Sequence, residues 1–194
     1  MSLELELQKL PKKITLKDGS KVTLRPLRKT DEKAFHTFFQ AVPEAERMFI
    51  KHRVSDPAVI REWCQNIDLG RNLPMLAFLD DKIIGDATLH QQLGGWKRHI
   101  GRVSVMVHHQ YRGRGLARAL VHEIVEIARN SGLEKVEAEF IGEQTAAIHM
   151  FAMLGFTEFL RLESYVKDMQ AVTHDYVFMG LDLTTDEEYT SAAG

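Results

Sequence analysis

The stretch Val105-Met106-Val107-His108-His109-Gln110-Tyr111-Arg112-Gly113-Arg114-Gly115-Leu116-Ala117 decides the reading of this chain. An apolar run ends in a turn carrying two glycines and two arginines, and a long helical pattern starts directly after it. Over Arg114 to Asn130, Leu116, Leu120, Ile124, Ile127 and Ala128 recur at helical spacing, whereas Arg118, His122, Glu126 and Arg129 fall on the other side. A strand that enters a helix through glycines suits an anion. The first N–H groups of the helix lack partners and carry partial positive charge, and glycine lets a phosphate approach the backbone. Arg112 and Arg114 add mobile positive charge. The same residues also fit a tight turn in which glycine only relieves strain.

Two well-known phosphate loops do not fit. A P-loop requires Gly-Lys followed by Ser or Thr, and Leu116 and Ala117 follow Gly115. A dinucleotide fingerprint starting at Gly113 requires a small third residue where Arg118 stands, although Glu137 lies at about the right distance for a ribose-binding acid.

Outward from this turn, Ile14–Lys17 and Val22–Leu27 flank Asp18-Gly19 as a hairpin. Thr30 is placed to cap a helix from Asp31, and Pro57 to open a second, with Val59, Ile60, Trp63, Cys64 and Ile67 as its apolar stripe. Met75–Leu79, Lys82–Gln91 and His99–Val107 read as strands, then Val136–Ile141, a helix over Gln144–Leu154, and strands over Glu158–Lys167 and Tyr176–Leu183. This order predicts a mixed α/β (α+β) sheet with flanking helices, and the antiparallel run before the turn speaks against a regular doubly wound fold.

The 194 residues, with 27% charged, 44% hydrophobic and a formal charge of −2, suit one soluble domain. We expect an extension over residues 1–11, the domain over 12–183 and a polar tail over 184–194. No apolar run reaches the ~18 residues of a membrane span, and Glu4, Glu6 and Lys9 interrupt any secretory core. The near-neutral charge speaks against nucleic acid as partner. The single Cys64 makes no internal disulfide, which points to a reducing, cytoplasmic compartment.

Arg112-Gly113-Arg114-Gly115-Leu116-Ala117 resembles the Arg/Gln-x-x-Gly-x-Gly/Ala signature of the GNAT acyltransferase superfamily, and Val105-Met106-Val107 is similar to its fourth strand. Gln144-Thr145-Ala146-Ala147-Ile148-His149-Met150-Phe151-Ala152-Met153-Leu154-Gly155-Phe156 resembles its second motif, Asn-x-x-Ala-Ile-x-Leu-Tyr-x-x-Leu-Gly-Phe. The opening from Asp18 through Glu32 is also similar to bacterial Pat-type protein-lysine acetyltransferase domains. The resemblance implies acetyl-CoA (or another short acyl-CoA) as donor and a primary amine, on a small molecule or a protein lysine, as acceptor. It implies a central, mostly antiparallel sheet whose fourth and fifth strands splay to admit pantetheine. It further implies Val105 and Val107, with Met106 between them, along pantetheine. Arg112, Gly113, Arg114, Gly115, Leu116, Ala117 and Arg118 would hold the pyrophosphate, with Gln144 and Phe151 as further cofactor contacts. No metal is implied, and a homodimer through the last strands is consistent with the superfamily.

Acetylating an amine requires removing a proton from an ammonium whose pKa is about 10.4. Glu137 and Glu139 fall on one side of the strand Val136–Ile141, opposite Val136, Ala138 and Phe140. Glu139, five residues before Gln144, is the first candidate base and Glu137 the second; each also fits a structural ion pair with a neighbouring arginine. In Pat-like domains the base is a fourth-strand Glu, and Arg102 stands there, so His99 or His108 is a further candidate. His108-His109 does not suit a metal, because neighbours on a strand point to opposite sides. Asn of the second motif is Gln144, and the family's proton-donating Tyr is Phe151, which leaves Tyr165 and Tyr176 as alternatives. A GNAT-fold module that binds acyl-CoA without turnover is the rival expectation.

Overall fold

The structure, a computed structural model, describes residues 2–47, 50 and 53–183. In chain order its elements are α1 (Leu3–Gln8), β1 (Lys12–Thr15), β2 (Lys21–Pro26), α2 (Glu32–Gln40), α3 (Glu44–Arg47), α4 (Pro57–Gln65), β3 (Asn72–Leu79), β4 (Lys82–Gln91) and β5 (Ile100–Val107). Then come α5 (Leu116–Asn130), β6 (Lys135–Ile141), α6 (Thr145–Met153), β7 (Thr157–Lys167) and β8 (Thr173–Asp182). The strands form one sheet in the order β1-β2-β3-β4-β5-β6-β8-β7. Every neighbouring pair is antiparallel except β5 with β6. Among the described residues no helix is long and apolar enough to cross a membrane.

Side-chain alternation divides the core between the two faces of the sheet. On one face Leu89, Val103, Val107, Val136 and Ala138 pack under Leu116, Leu120, Ile124 and Ile127 of α5 and Phe151 of α6. On the other, Leu76 and Ile83 pack under Phe35, Phe38 and Phe39 of α2 and Ile60 and Cys64 of α4. All five residues expected on the inner side of α5 are buried. Cys64 lies within the α4 stripe, where burial pushes its thiol up to about 11, out of nucleophilic range.

The start of α2 differs from expectation. A short 3-10 turn, Lys29–Asp31, precedes the helix, and the anchoring group is Asp31 rather than Thr30. The Asp31 carboxylate accepts from Arg28 N (2.8 Å) and from both terminal nitrogens of Arg25 (2.7 and 2.8 Å). A carboxylate takes three donors where a hydroxyl takes one or two, so it holds the chain reversal better. Pro57 opens α4 as expected, with Asp56 accepting from Ala58 N at 2.9 Å. The extension contains α1, whose Leu3 and Leu7 pack against the core beneath α5. The expected tail over 184–194 lies outside the described residues.

The parallel pair is short. Its register runs Ile100↔Lys135, Gly101↔Val136, Arg102↔Glu137 and stops. A Cβ on Gly101 would stand 2.6 Å from Leu89 Cδ1 and 2.9 Å from Leu133 Cδ1, so a side chain at the base of this junction would push both leucines aside. Past Arg102 and Glu137 the two strands separate, β5 staying with β4 and β6 with β8. This is the expected splay, shifted to the fifth and sixth strands because an additional short strand opens the sheet.

Candidate active site

The glycine turn joins the open end of β5 to α5. Gly113 and Gly115 have φ of +76° and +85°, in the left-handed region that disfavours side chains, and Gly115 is the N-cap of α5. The helix ladder begins with Ala119 N to Gly115 O at 3.1 Å, so the N–H groups of Leu116, Ala117 and Arg118 precede it. The Leu116 side chain is buried in the core, and its contribution to an anion site is therefore its backbone.

The two arginines of the turn are both engaged. Arg112 reaches both carboxylate oxygens of Glu46 (2.9 and 2.6 Å), and its Nε donates to Val107 O at 3.1 Å. Arg114 donates to Asp18 Oδ2 at 2.7 Å and to Gln110 O at 3.0 Å, with its guanidinium 5.0 Å from the Tyr111 ring centre. The expectation of free positive charge is corrected here: these guanidiniums brace the turn, tying it to the β1–β2 loop and to α3. Arg118 is exposed, and the Lys17 chain passes 3.5 Å from where a Gly115 Cβ would be.

His108 N donates to Ile84 O of β4 at 3.0 Å. Because backbone groups alternate along a strand, the N–H and C=O of Val107 and Val105 then point away from β4, into the gap left by β6. One of these groups, Val107 O, is already taken by Arg112.

On the sheet face away from α5, side chains of four strands meet at the gap: Asp86, Thr88 and His90 of β4, Arg102, Ser104 and Met106 of β5, Glu137 and Glu139 of β6, and Tyr176 of β8. Both candidate carboxylates are here, and both face cations. Lys97 Nζ lies 3.1 Å from each oxygen of Glu137, and Arg102 Nη1 lies 3.5 Å from Glu139 Oε2. Tyr176 leans toward Glu139; burial first, then that negative charge, pushes its phenol up to about 12.

Sequence reasoning missed five polar residues of this face: Asn72, Asp86, Thr88, His90 and Ser104. Asp86 is buried in register with Met106, its carboxyl pushed up to about 7 by burial and met by the Thr88 hydroxyl at 3.3 Å. Asn72, His90 and Ser104 form a line, with Asn72 Oδ1 2.7 Å from His90 Nδ1 and Ser104 Oγ 3.4 Å from His90 Nε2. The period-two pattern of β4 and β5 carried the signal: Asp, Thr and His alternate with buried Ala87 and Leu89.

Several expected site residues lie elsewhere. His99 precedes β5 at the base of the parallel ladder, where its carbonyl accepts from Glu134 N at 2.9 Å. It borders a cleft with Gln91, Arg98 and Glu134, at the far end of β5 from the glycine turn. Phe151 is fully buried, its ring 4.9 Å from Phe140 and 4.8 Å from Phe156, so it packs the core rather than lining an accessible surface. Gln144 Oε1 accepts from Ile141 N at 3.0 Å and closes the β6–α6 turn. Met106 packs against the α2/α4 side. Tyr165 and Tyr176 sit 6.0 Å apart, the first exposed. His108 and His109 do not point apart: β5 ends at Val107, and their rings stack at 4.5 Å. Burial, then the neighbouring His109 and Arg112, holds His108 below the ordinary imidazole range.

The sequence profile of the Acetyltransferase (GNAT) family matches residues 35–156. The chain is 31% identical over 77 residues to the L-amino acid N-acyltransferase MnaT of Escherichia coli (strain K12), a match covering 37% of this chain and 45% of that protein. Among solved structures it is similar to yncA from Salmonella typhimurium, which holds its cofactor acetyl-CoA, with a TM-score of 0.72 and 21% identity over 84% of this chain and 95% of that one. It is likewise similar to the ribosomal-protein-S5-alanine acetyltransferase of Vibrio fischeri, with a TM-score of 0.73 and 16% identity over 83% and 92% of the two chains. With the glycine turn, the short parallel ladder and the family profile over more than half its length, this chain belongs to the GNAT family of acetyltransferases.

Proposed function

We propose that this chain is an N-acetyltransferase that moves the acetyl group of acetyl-CoA directly to a primary amine. The observation that carries this reading is the gap between β5 and β6 beyond Arg102 and Glu137, with outward-facing backbone on one wall and the N-terminus of α5 at its end. In this reading the CoA diphosphate lies on the N–H groups from Gly113 to Arg118, and the pantetheine arm runs along Val105 and Val107. Loading the cofactor displaces or reuses the Arg112 and Arg114 contacts at the turn.

The acceptor enters on the opposite face, where Glu137 and Glu139 offer negative charge to an ammonium. Lys97 occupies both oxygens of Glu137, whereas Arg102 approaches only one oxygen of Glu139. Glu139 therefore takes the proton that the entering ammonium must lose before its lone pair forms. Arg102, beside it, suits an acceptor that also bears a carboxylate, and a free amino acid is the acceptor class we favour. The partial match to an amino acid N-acyltransferase supports the same class.

The test is CoA release from acetyl-CoA with a panel of L-amino acids, polyamines and a lysine-containing peptide. Turnover is expected with the amino acids. Glu139→Gln is expected to lower kcat about 100-fold while CoA affinity stays unchanged. CoA binding without release against every amine would instead identify a binding module.

A further inference from the structure

We propose that Asn72, His90 and Ser104 form a proton shuttle that carries the second amine proton from the attacking nitrogen to the CoA sulfur. The proposal rests on the transferase reading above and supplies what that reading lacks. Two protons must leave the acceptor nitrogen, and Glu139 accounts for one. The other ends on the leaving sulfur; Phe151, buried against Phe140 and Phe156, has no proton to give, and the phenol of Tyr176 is turned to Glu139.

The geometry suits one direction. Asn72 Oδ1 lies 2.7 Å from His90 Nδ1 and Ser104 Oγ 3.4 Å from His90 Nε2. An amide oxygen only accepts, so the tautomer that the shuttle requires carries its proton on Nδ1 and turns the Nε2 lone pair to Ser104. Strand register builds this line: Asn72 pairs with His90 across β3 and β4, while Ser104 pairs with Thr88, the residue two before His90 on the same face. Ser104 is exposed and stands two residues past Arg102, where β6 has parted from β5. It is also the direct neighbour of Val105, whose backbone lines the gap. The hydroxyl therefore joins Glu139 and Tyr176 among the polar groups on the face where an amine would meet a thioester lying along β5.

The step balances. The neutral amine forms the N–C bond at the thioester carbonyl, leaving the nitrogen with one proton too many. Ser104 Oγ accepts that proton as its own passes to His90 Nε2. The C–S bond breaks with its electron pair going to sulfur. His90 returns its proton through Ser104 to the thiolate, giving CoA thiol and the amide. Ser104 touches the reacting atoms; His90 and Asn72 act through it as positioning residues.

The test uses the full chain, acetyl-CoA and the panel amine that the wild type acetylates fastest. Ser104→Ala and His90→Gln are each expected to lower kcat about 10- to 100-fold, with the acetyl-CoA KM within about twofold of wild type. Combining them should be no worse than either alone, because they interrupt one path. Ser104→Thr, which keeps the hydroxyl, should restore most of the rate. In wild type, ¹⁵N chemical shifts should show His90 as the Nδ1–H tautomer, and Asn72→Ala should abolish that preference. Wild-type turnover by Ser104→Ala, multiplying losses in the double variant, or an Nε2–H tautomer would each overturn the shuttle and leave the transferase reading intact. Failure of the wild type to acetylate any panel amine would overturn both.

Discussion

Arg102 faces Glu137 in the last pair of the parallel β5–β6 ladder, yet its guanidinium lies 3.5 Å from Oε2 of Glu139, two residues further along β6. It thereby spans the mouth of the gap, with both side chains more than two-fifths exposed. Replacing this cation changes the field that an incoming acceptor meets. Arg102→Glu is expected to raise the kcat/KM ratio of a polyamine over a neutral amino acid by about tenfold, chiefly through KM and more at low salt. An unchanged ratio would place the acceptor away from this mouth.

Gly115 is held at φ +85° as the cap of α5. Gly115→Ala is expected to destabilise the fold by about 1–2 kcal/mol, because a side chain is strained in that conformation. It should also weaken CoA binding about tenfold by tilting the first N–H groups of the helix. Thermal unfolding and titration calorimetry read the two effects separately.

Arg114 is occupied by Asp18 at 2.7 Å. Asp18→Asn keeps the side-chain oxygen that accepts from Ser20 N at 3.0 Å but removes the negative charge that faces Arg114. The freed guanidinium is expected to tighten CoA binding by about two- to fivefold at low ionic strength, with the gain fading in high salt. Equal affinity at both ionic strengths would show that Arg114 never turns toward the diphosphate.

Asp86 supplies a pH dependence of stability. Burial pushes its carboxyl up to about 7 in the folded chain, against about 3.9 unfolded. Between those values the unfolded chain releases its proton while the folded chain keeps it. Stability therefore falls as pH rises from about 4 to about 7 and levels off above. Asp86→Asn, still able to accept from Thr88, is expected to flatten this slope and to gain about 4 kcal/mol at pH 8 relative to pH 4. Urea unfolding across that range is the measurement.

Much of the scaffold was legible because local patterns and tertiary packing agreed. The helical stripe from Leu116 to Ala128 states its own buried side and the proline that opens α4 its own helix start, and packing followed them. The glycine turn was legible for a similar reason: positive φ leaves glycine as the favoured residue, so the sequence there records backbone conformation directly. The sequence pointed to Thr30 as the cap of α2, and only the position of Arg25 in space made Asp31 the anchor instead.

The chain by itself determined the order of elements, the mixed sheet, the phosphate-like turn and the placing of Glu137 and Glu139 on one side of their strand, since these depend on residues near one another in sequence. Tertiary structure alone decided that Arg112 and Arg114 are already engaged by Glu46 and Asp18, that His99 lies at the wrong end of β5, and that Phe151 is core. It alone also brought Asn72, His90 and Ser104 into line from three separate strands. Strand register fixes such meetings, and register is set by the packing of the whole sheet rather than by any single segment.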